Sequence, residues 1–147
     1  MPSDLTIKNN FRKAKAASIL SDYPGHKVGA VMLLGNKVVT AGYNITKTHP
    51  MQKKYNIERG YDPDIKNNGQ IHAEMMCLIN TRHLDIDWSK VSLYIYREHK
   101  DHSPAVAKPC PACEKAIIER GIGKVYYTIE KPKEVSYYEV WRIPRKR

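Results

Sequence analysis

The sequence has no long apolar run, and this absence excludes a membrane-spanning class of protein. No stretch approaches the roughly 20 apolar residues that a helix needs to cross a bilayer, so we expect no membrane segment. The N-terminal segment MPSDLTIKNN has no apolar stretch followed by a small-residue cleavage site, as a secretory signal would have. We therefore expect a cytoplasmic protein, whose thiols stay reduced.

Cysteine is also scarce. The chain has 3 cysteines, and an odd number of this size argues against a disulfide framework. Cys110 and Cys113 form a C-x-x-C pair, which favours metal binding or redox chemistry. We interpret Cys77 as a small core residue.

Acidic residues are few compared with basic ones. Asp and Glu number 15 against 25 Lys and Arg, which gives a formal net charge of +10. Such an excess suggests an anionic partner, either a nucleotide phosphate or a nucleic-acid backbone. A hydrophobic content of 41% and a length of 147 residues suit one globular core. We expect a single domain over residues 1–147, with a basic tail from about residue 142.

The first part of the chain predicts a helix followed by a hairpin. Apolar residues at helical spacing indicate an amphipathic helix from Ser3 to Asp22. Two β-rich runs, Val28 to Leu34 and Lys37 to Tyr43, are joined by only Gly35-Asn36, which is a strong hairpin pattern. The polar segment 44–69 has no sustained period and is predicted to be a long loop with at most a short helical turn.

The second part of the chain alternates helices and strands. A helix of about fourteen residues is predicted to end near His83, and a second helix to run from Pro111 to Gly121. Strands are predicted at VSLYIY, KVYYTI and VSYYEVW. Tyrosines in the last two could stack on nucleobases, but alternating strand aromatics more often belong to a core or a subunit contact. This order predicts a sheet covered by helices on its faces.

Two short motifs carry the candidate chemistry, each at the start of a predicted helix: His72-Ala73-Glu74 and the C-x-x-C pair of Cys110 and Cys113. A catalytic zinc takes three protein ligands and leaves its fourth position to water, and one histidine with two cysteines fits that count. The C-x-x-C spacing lets both sulfurs face one ion, and the helix N-terminus favours their thiolate forms.

Glu74 lies two residues from His72, so the two side chains do not share a helix face. In the first turn, however, His72 can reach a metal while Glu74 reaches the bound water and a substrate. A carboxylate at that point can take up and deliver protons, which is general acid–base catalysis.

Other interpretations remain open for each motif alone. H-A-E is often a surface tripeptide, and C-x-x-C can be a redox pair or half of a structural zinc site, completed by His83, His99 or His102. The combination H-x-E followed by P-C-x-x-C is typical of zinc-dependent nucleobase deaminases, in which the glutamate moves protons and does not bind the metal.

With these motifs the chain resembles the cytidine and deoxycytidylate deaminase superfamily. The similarity extends over VGAVMLL and the hairpin after it, Gly42-Tyr43-Asn44, HAEMMCLIN, VSLYIY and PCPACEKAIIERGIGKVYYT. The resemblance implies an α/β fold, a three-layer α/β/α sandwich with a central mixed five-stranded sheet, and a homo-oligomer.

The resemblance also implies roles for single residues. His72, Cys110 and Cys113 would bind Zn²⁺, and Glu74 would be the proton shuttle. Asn44 would bind the sugar, and the backbone N–H of Ala73 would donate to the base carbonyl.

With histidine at the first position of H-A-E, the chain resembles the deoxycytidylate, tRNA adenosine and polynucleotide cytosine branches of the superfamily. We expect a nucleotide substrate, dCMP, converted to dUMP and ammonia, with Lys53 and Lys54 near the phosphate. The alternative is a deaminase of cytosine in single-stranded DNA or RNA. Adenosine or guanine substrates, and a non-catalytic zinc module that binds nucleic acid, are the remaining alternatives.

Overall fold

The computed structural model describes residues 2–59, 70–101, 103, 105–130 and 138–142. The described helices are α1 (Asp4–Ser18), α2 (Pro50–Glu58), α3 (Ala73–Asn80) and α4 (Pro111–Arg120). The strands are β1 (Val28–Leu34), β2 (Lys37–Tyr43), β3 (Val91–Arg97), β4 (Lys124–Thr128) and β5 (Tyr138–Arg142), with a 3₁₀ turn at Trp88–Lys90 before β3. None of these described helices combines the length and apolar character that crossing a bilayer requires.

The strands form one five-stranded sheet in the order β2-β1-β3-β4-β5. The pair β3 and β4 is parallel, and the other neighbouring pairs are antiparallel. The hairpin turns at Gly35, whose φ of 63° lies in the left-handed region that glycine adopts readily. The predicted mixed sheet is confirmed.

Alternation along the strands gives the sheet two apolar faces. In β1, Val31 and Leu33 belong to the cluster that contains Phe11 of α1, whereas Ala30 and Met32 belong to the cluster on the other face. That second cluster takes in buried residues of α2, α3 and α4. The sheet is therefore covered by α1 on one face and by three helices on the other, which is the expected α/β/α arrangement.

Two glycines allow helices to approach the sheet closely. A Cβ on Gly29 would lie 1.9 Å from the carbonyl oxygen of Ala14 in α1. A Cβ on Gly42 would lie 2.4 Å from the carbonyl oxygen of Ala73, at the start of α3. Real Cβ atoms do not come this close to a backbone atom, so the position of α3 against β2 depends on Gly42.

The structure differs from the prediction in the middle of the chain. The prediction of a long loop with a short turn is wrong for Pro50–Glu58, which form the nine-residue helix α2. The ring of His49 caps this helix by accepting a hydrogen bond from the backbone N–H of Met51, and Pro50 occupies its first turn.

Helix α3 has 8 residues and is shorter than predicted. Its last carbonyl groups accept hydrogen bonds from side chains, namely the Thr81 hydroxyl to Cys77 O and Leu78 O and the Arg120 guanidinium to Leu78 O. Because these bonds satisfy the carbonyls that a continuing helix would use, α3 ends at Asn80.

The described residues include only part of the predicted C-terminal strand and tail. Arg142, placed in the basic tail, is the last residue of β5, while residues 143–147 and the start of the predicted fifth strand lie outside the described residues. Tyr126 and Tyr127 are buried, and the ring of Tyr126 stacks on that of Tyr94 at a centroid distance of 4.3 Å. These tyrosines are core residues, and Tyr137 lies outside the described part.

Candidate active site

His72 is the N-cap residue of α3. Its backbone is extended, with φ −78° and ψ 156°, and its side chain makes no capping hydrogen bond. The preceding residue, Ile71, forms an antiparallel bridge with Ile45, in which each backbone N–H donates to the other carbonyl over 3.0 Å. The imidazole is therefore held at a fixed point ahead of the helix and is free to bind a metal.

Cys110 occupies the matching position at the start of α4. It is the N-cap residue, its backbone is extended, and its thiol makes no capping hydrogen bond. Pro111 begins the helix, and Gly121, with φ of 90°, ends it. Cys113 lies in the first turn and is buried.

The three candidate ligands converge on one point. Nδ1 of His72 lies 3.5 Å from Sγ of Cys110 and 3.3 Å from Sγ of Cys113. Zinc bonds of about 2.3 Å to sulfur and about 2.0–2.1 Å to nitrogen, in a tetrahedron, separate these atoms by about 3.6 Å. His72, Cys110 and Cys113 therefore fit Zn²⁺, and they are the cluster of possible metal ligands found in the described part of the chain.

The thiol of Cys110 is favoured as a thiolate. A hydrogen bond from Cys113 is the largest cause that lowers the pKa of Cys110 to about 4, and contacts with His72 lower it further. A deprotonated sulfur at a helix N-terminus is the form that binds zinc.

The alternative ligands lie elsewhere. His83 is exposed, and Nε2 of His99 lies 3.2 Å from the Glu130 carboxylate. Cys77 is fully buried against Gly42, which confirms it as a core residue, and His102 lies outside the described residues. The described histidines other than His72 therefore do not complete a structural site.

Glu74 is 5% exposed and faces the same cavity as the ligands. Burial raises the pKa of its carboxyl to about 7, although the charge of the neighbouring His72 acts in the opposite direction. A carboxyl group with a pKa near neutrality exchanges protons readily in both directions.

A cavity of about 400 Å³ opens above these residues. Asn44, Ala73 and Glu74 line it together with His72 and Cys110. Other lining residues are Tyr23, His26, Val28, Gln70, Arg97, Val106, Ala107 and Lys108. The cavity lies at the edge of the sheet where β2 and β3 end and β1 begins, since Val28 pairs with Arg97.

Three of the lining residues form a group that we call the cationic rim: the basic residues Arg97 and Lys108, together with His26, whose imidazole is a cation only when it is protonated. Glu74 is the single carboxylate among the described residues that line the cavity. The buried Nε of Arg97 has no hydrogen-bond acceptor within the described part of the chain. The charge of Arg97 is the largest cause that lowers the pKa of His26, followed by burial, His99 and Lys100.

The end of β3 and the segment that follows it carry two members of the cationic rim, Arg97 and Lys108. Thr128, at the end of β4, holds this segment through hydrogen bonds that include those from Arg97 N to its hydroxyl (3.2 Å), from its hydroxyl to Ala105 O (2.7 Å) and from Ala107 N to its carbonyl (2.9 Å). These bonds fix Arg97 and Lys108 on the same side of the cavity.

Lys53 and Lys54 do not line the cavity. Both are exposed on α2, and the Lys54 ammonium lies over the ring of Tyr55 at 5.1 Å. The structure thus brings together His72, Glu74, Cys110, Cys113, Asn44 and Ala73, but not these two lysines.

Sequence reasoning missed the cationic rim and the buried glutamine Gln52, which lies beside the ligands. Arg97 directly follows the predicted strand VSLYIY, and a cation at the end of a strand can indicate a binding site. No periodicity marked Gln52.

Comparison with known proteins places the chain in a family. Residues 6–129 match the family described as "Cytidine and deoxycytidylate deaminase zinc-binding region", and the chain belongs to this family. It is accordingly a zinc-type deaminase. A search of curated protein sequences gave no match.

Solved structures show the same fold. Cytidine deaminase from Burkholderia pseudomallei is 19% identical, with a TM-score of 0.61, over 92% of this chain and 91% of that one. The apo dCMP deaminase of cyanophage S-TIM5 is 22% identical, with a TM-score of 0.63, over 88% and 86%. The same phage enzyme in complex with dCMP and dUMP is 20% identical, with a TM-score of 0.62, over 88% and 85%.

Proposed function

We propose that the protein removes the amino group of cytosine from a nucleoside monophosphate, converting dCMP and water to dUMP and ammonia. The observation that carries this proposal is the cationic rim on the same cavity as Glu74 and the metal ligands. A neutral nucleoside would not need these cations, whereas a phosphate dianion would be stabilised by them.

Glu74 is the proposed proton shuttle. When bound, zinc lowers the pKa of a coordinated water and so supplies a nucleophile near neutral pH. The Glu74 carboxylate takes, in turn, the two protons that the attacking oxygen loses, and it delivers one to the ring nitrogen N3 and one to the leaving amine. The oxygen forms a bond to C4 as the C4–N bond breaks, and ammonia leaves.

Asn44 and Ala73 are the proposed contacts to the sugar and the base. The Asn44 amide accepts from the backbone N–H of Val28 and donates to His26 O, each over 2.9 Å. An amide keeps one further N–H and one further lone pair, which are available to a sugar hydroxyl. The backbone N–H of Ala73, in the first turn of α3, is available to the base carbonyl.

Arg97 is the proposed centre of phosphate recognition, in place of Lys53 and Lys54. Its planar guanidinium suits a phosphate, and the side chain lines the cavity, where Nη1 donates to Val106 O over 3.2 Å. The phage dCMP deaminase of similar fold, solved with dCMP and dUMP, supports a monophosphate substrate.

The net charge of +10 favours a second candidate, a deaminase of cytosine in single strands. The two candidates differ in salt dependence, because a strand releases counterions at every contacted phosphate. The logarithm of affinity for a single strand falls with the logarithm of salt at a slope near ~0.7 per phosphate. We expect only a modest slope. The cytoplasmic location and the homo-oligomeric state stay predictions.

The first prediction compares dCMP with deoxycytidine in three proteins: wild type, Arg97→Ala and the double variant Lys53→Ala/Lys54→Ala. Because a hydrogen bond to a charged group is worth about 1.5–3 kcal/mol, Arg97→Ala should raise KM for dCMP about 10- to 100-fold. KM for deoxycytidine should change little. The lysine double variant is the matched control and should resemble wild type with both substrates.

If Arg97→Ala raised KM for deoxycytidine as much as KM for dCMP, the phosphate role of Arg97 would be contradicted. A larger effect of the lysine double variant on KM for dCMP would contradict it as well. If the protein converted cytosine only within an oligonucleotide, and its affinity fell steeply with salt, the single-strand alternative would replace the monophosphate proposal.

A further inference from the structure

Helix α2 places a buried pair of amides beside the metal site. Gln52 is 0% exposed and Asn56 is 1% exposed, and they share the buried face of α2 with Tyr55. Burying a polar amide without partners costs free energy, so a glutamine here needs specific hydrogen bonds.

The partners of Gln52 are the two ligand-bearing helix starts. Its Oε1 accepts a hydrogen bond from the backbone N–H of His72 over 3.1 Å. Its Nε2 donates to Oδ1 of Asn56 over 2.9 Å. Burial raises the pKa of the Cys113 thiol, and a hydrogen bond from the Gln52 amide to its sulfur acts in the opposite direction.

The orientation of the Gln52 amide follows from these contacts. The backbone N–H of His72 can only donate, so the oxygen of the amide must face it. The amide nitrogen then faces Asn56 and Cys113, and its two N–H groups match these two acceptors. The side chain therefore satisfies its hydrogen bonds in one arrangement.

We propose that Gln52 is a positioning residue of the metal site, which fixes His72 through its backbone and Cys113 through its sulfur. One side chain thereby ties the start of α3 to the start of α4. The inference rests on the metal site of the proposed function but not on the identity of its substrate. Residues that hydrogen-bond metal ligands typically change metal affinity 10- to 100-fold when they are mutated.

Through Gln52, α2 contributes directly to the metal site. Its contact with the metal site is polar and local, whereas Tyr55 fixes the same helix to α4 by donating to Oε1 of Glu119 over 2.8 Å. Tyr55→Phe removes that bond and leaves the Gln52 amide in place. It is the matched control for a general loosening of α2.

The test measures Zn²⁺ affinity by competition with a chromophoric chelator, and the thiolate-to-metal charge-transfer band of the Co²⁺-substituted protein. Gln52→Met removes every hydrogen bond of the amide at similar volume. Gln52→Glu has the same shape as glutamine and keeps an oxygen for the His72 N–H, but it loses the donor to Cys113. Both measurements are independent of any substrate.

We expect Gln52→Met to weaken Zn²⁺ binding about 10- to 100-fold. Both Gln52 variants should shift the charge-transfer band, because the sulfur of Cys113 loses a hydrogen bond, and Tyr55→Phe should leave both readouts unchanged. If Gln52→Met does not fold, Gln52→Glu still reports the band.

Zn²⁺ affinity and a band equal to wild type in a folded Gln52 variant would overturn the inference. Equal changes in Tyr55→Phe would do the same, because the effect would then belong to α2 docking. A wild-type protein that binds neither Zn²⁺ nor Co²⁺ would overturn the metal site itself, and that result is distinct from the other two.

Discussion

At the scale of single residues, the metal site depends on two N-cap positions. His72 and Cys110 both have extended backbones immediately before a helix, and neither side chain caps its helix. An N-cap side chain projects ahead of the helix axis, toward the positive end of the helix dipole, where an anionic sulfur is stabilised. Two such positions, with Cys113 one turn further on, are enough to build the ligand set.

The ligand set was predictable from the sequence because its geometry is local. Spacing within H-A-E and within C-x-x-C fixes which side chains point ahead of each helix start. The cationic rim was not predictable in the same way, because Arg97 meets His26 and Lys108 only through the pairing of β1 with β3 and through the hydrogen bonds of Thr128.

Removing one thiolate tests the ligand assignment. Cys110→Ala and Cys113→Ala should each lower bound zinc from one ion per chain to near zero, because two remaining ligands hold the metal weakly. Metal analysis of the purified variants measures this. Cys77→Ala, which changes a buried cysteine outside the ligand set, should keep its zinc. Full retention of zinc by both of the first two variants would contradict the assignment.

At the scale of elements, the position of α3 depends on a close backbone contact with β2. Gly42 allows the carbonyl of Ala73 to lie where a Cβ would otherwise be, and His72 is the residue before Ala73. A side chain at position 42 would therefore displace the metal ligand His72 as well as α3. The hairpin and the long helix α1 were predictable from their periodicities, and both are present.

Helix α2 was not predictable for a physical reason. Its buried residues are Gln52, Tyr55 and Asn56, so it presents no apolar stripe to a periodicity search. Hydrogen bonds hold it at the metal site, and these become visible only once α3 and α4 are in place.

Gly42→Ala tests the coupling between this contact and the metal. The new Cβ would lie 2.4 Å from Ala73 O and 3.0 Å from the sulfur of Cys77, so α3 must shift away from β2. We expect a lower melting temperature and weaker Zn²⁺ binding in the same chelator competition. Gly35→Ala is the control: it strains a turn with φ of 63°, at a cost of about 1 kcal/mol, without touching the site.

Gly35→Ala should lower the melting temperature and leave Zn²⁺ affinity unchanged. If both glycine variants weakened Zn²⁺ binding equally, the loss would reflect general destabilisation, and the specific role of Gly42 would be wrong.

At the scale of the whole molecule, one edge of the sheet collects the groups to which the proposed reaction assigns a role. The starts of α3 and α4 bring the ligands and Glu74, the end of β2 leads to Asn44, and the end of β3 brings Arg97. The net charge of +10 was evident from composition, but composition did not indicate which cations face the cavity. That distinction depends on the topology of the sheet.

The most direct test of the account is the conversion of dCMP to dUMP by zinc-loaded protein, compared between wild type and Glu74→Gln. Wild type should release one ammonia per dUMP formed. Glu74→Gln should bind one zinc per chain and keep its fold, but lose about 10²–10⁴-fold in kcat, because the amide cannot take up or deliver a proton. A variant that kept most of its turnover, or a zinc-loaded wild type that released no ammonia from dCMP, would contradict the account.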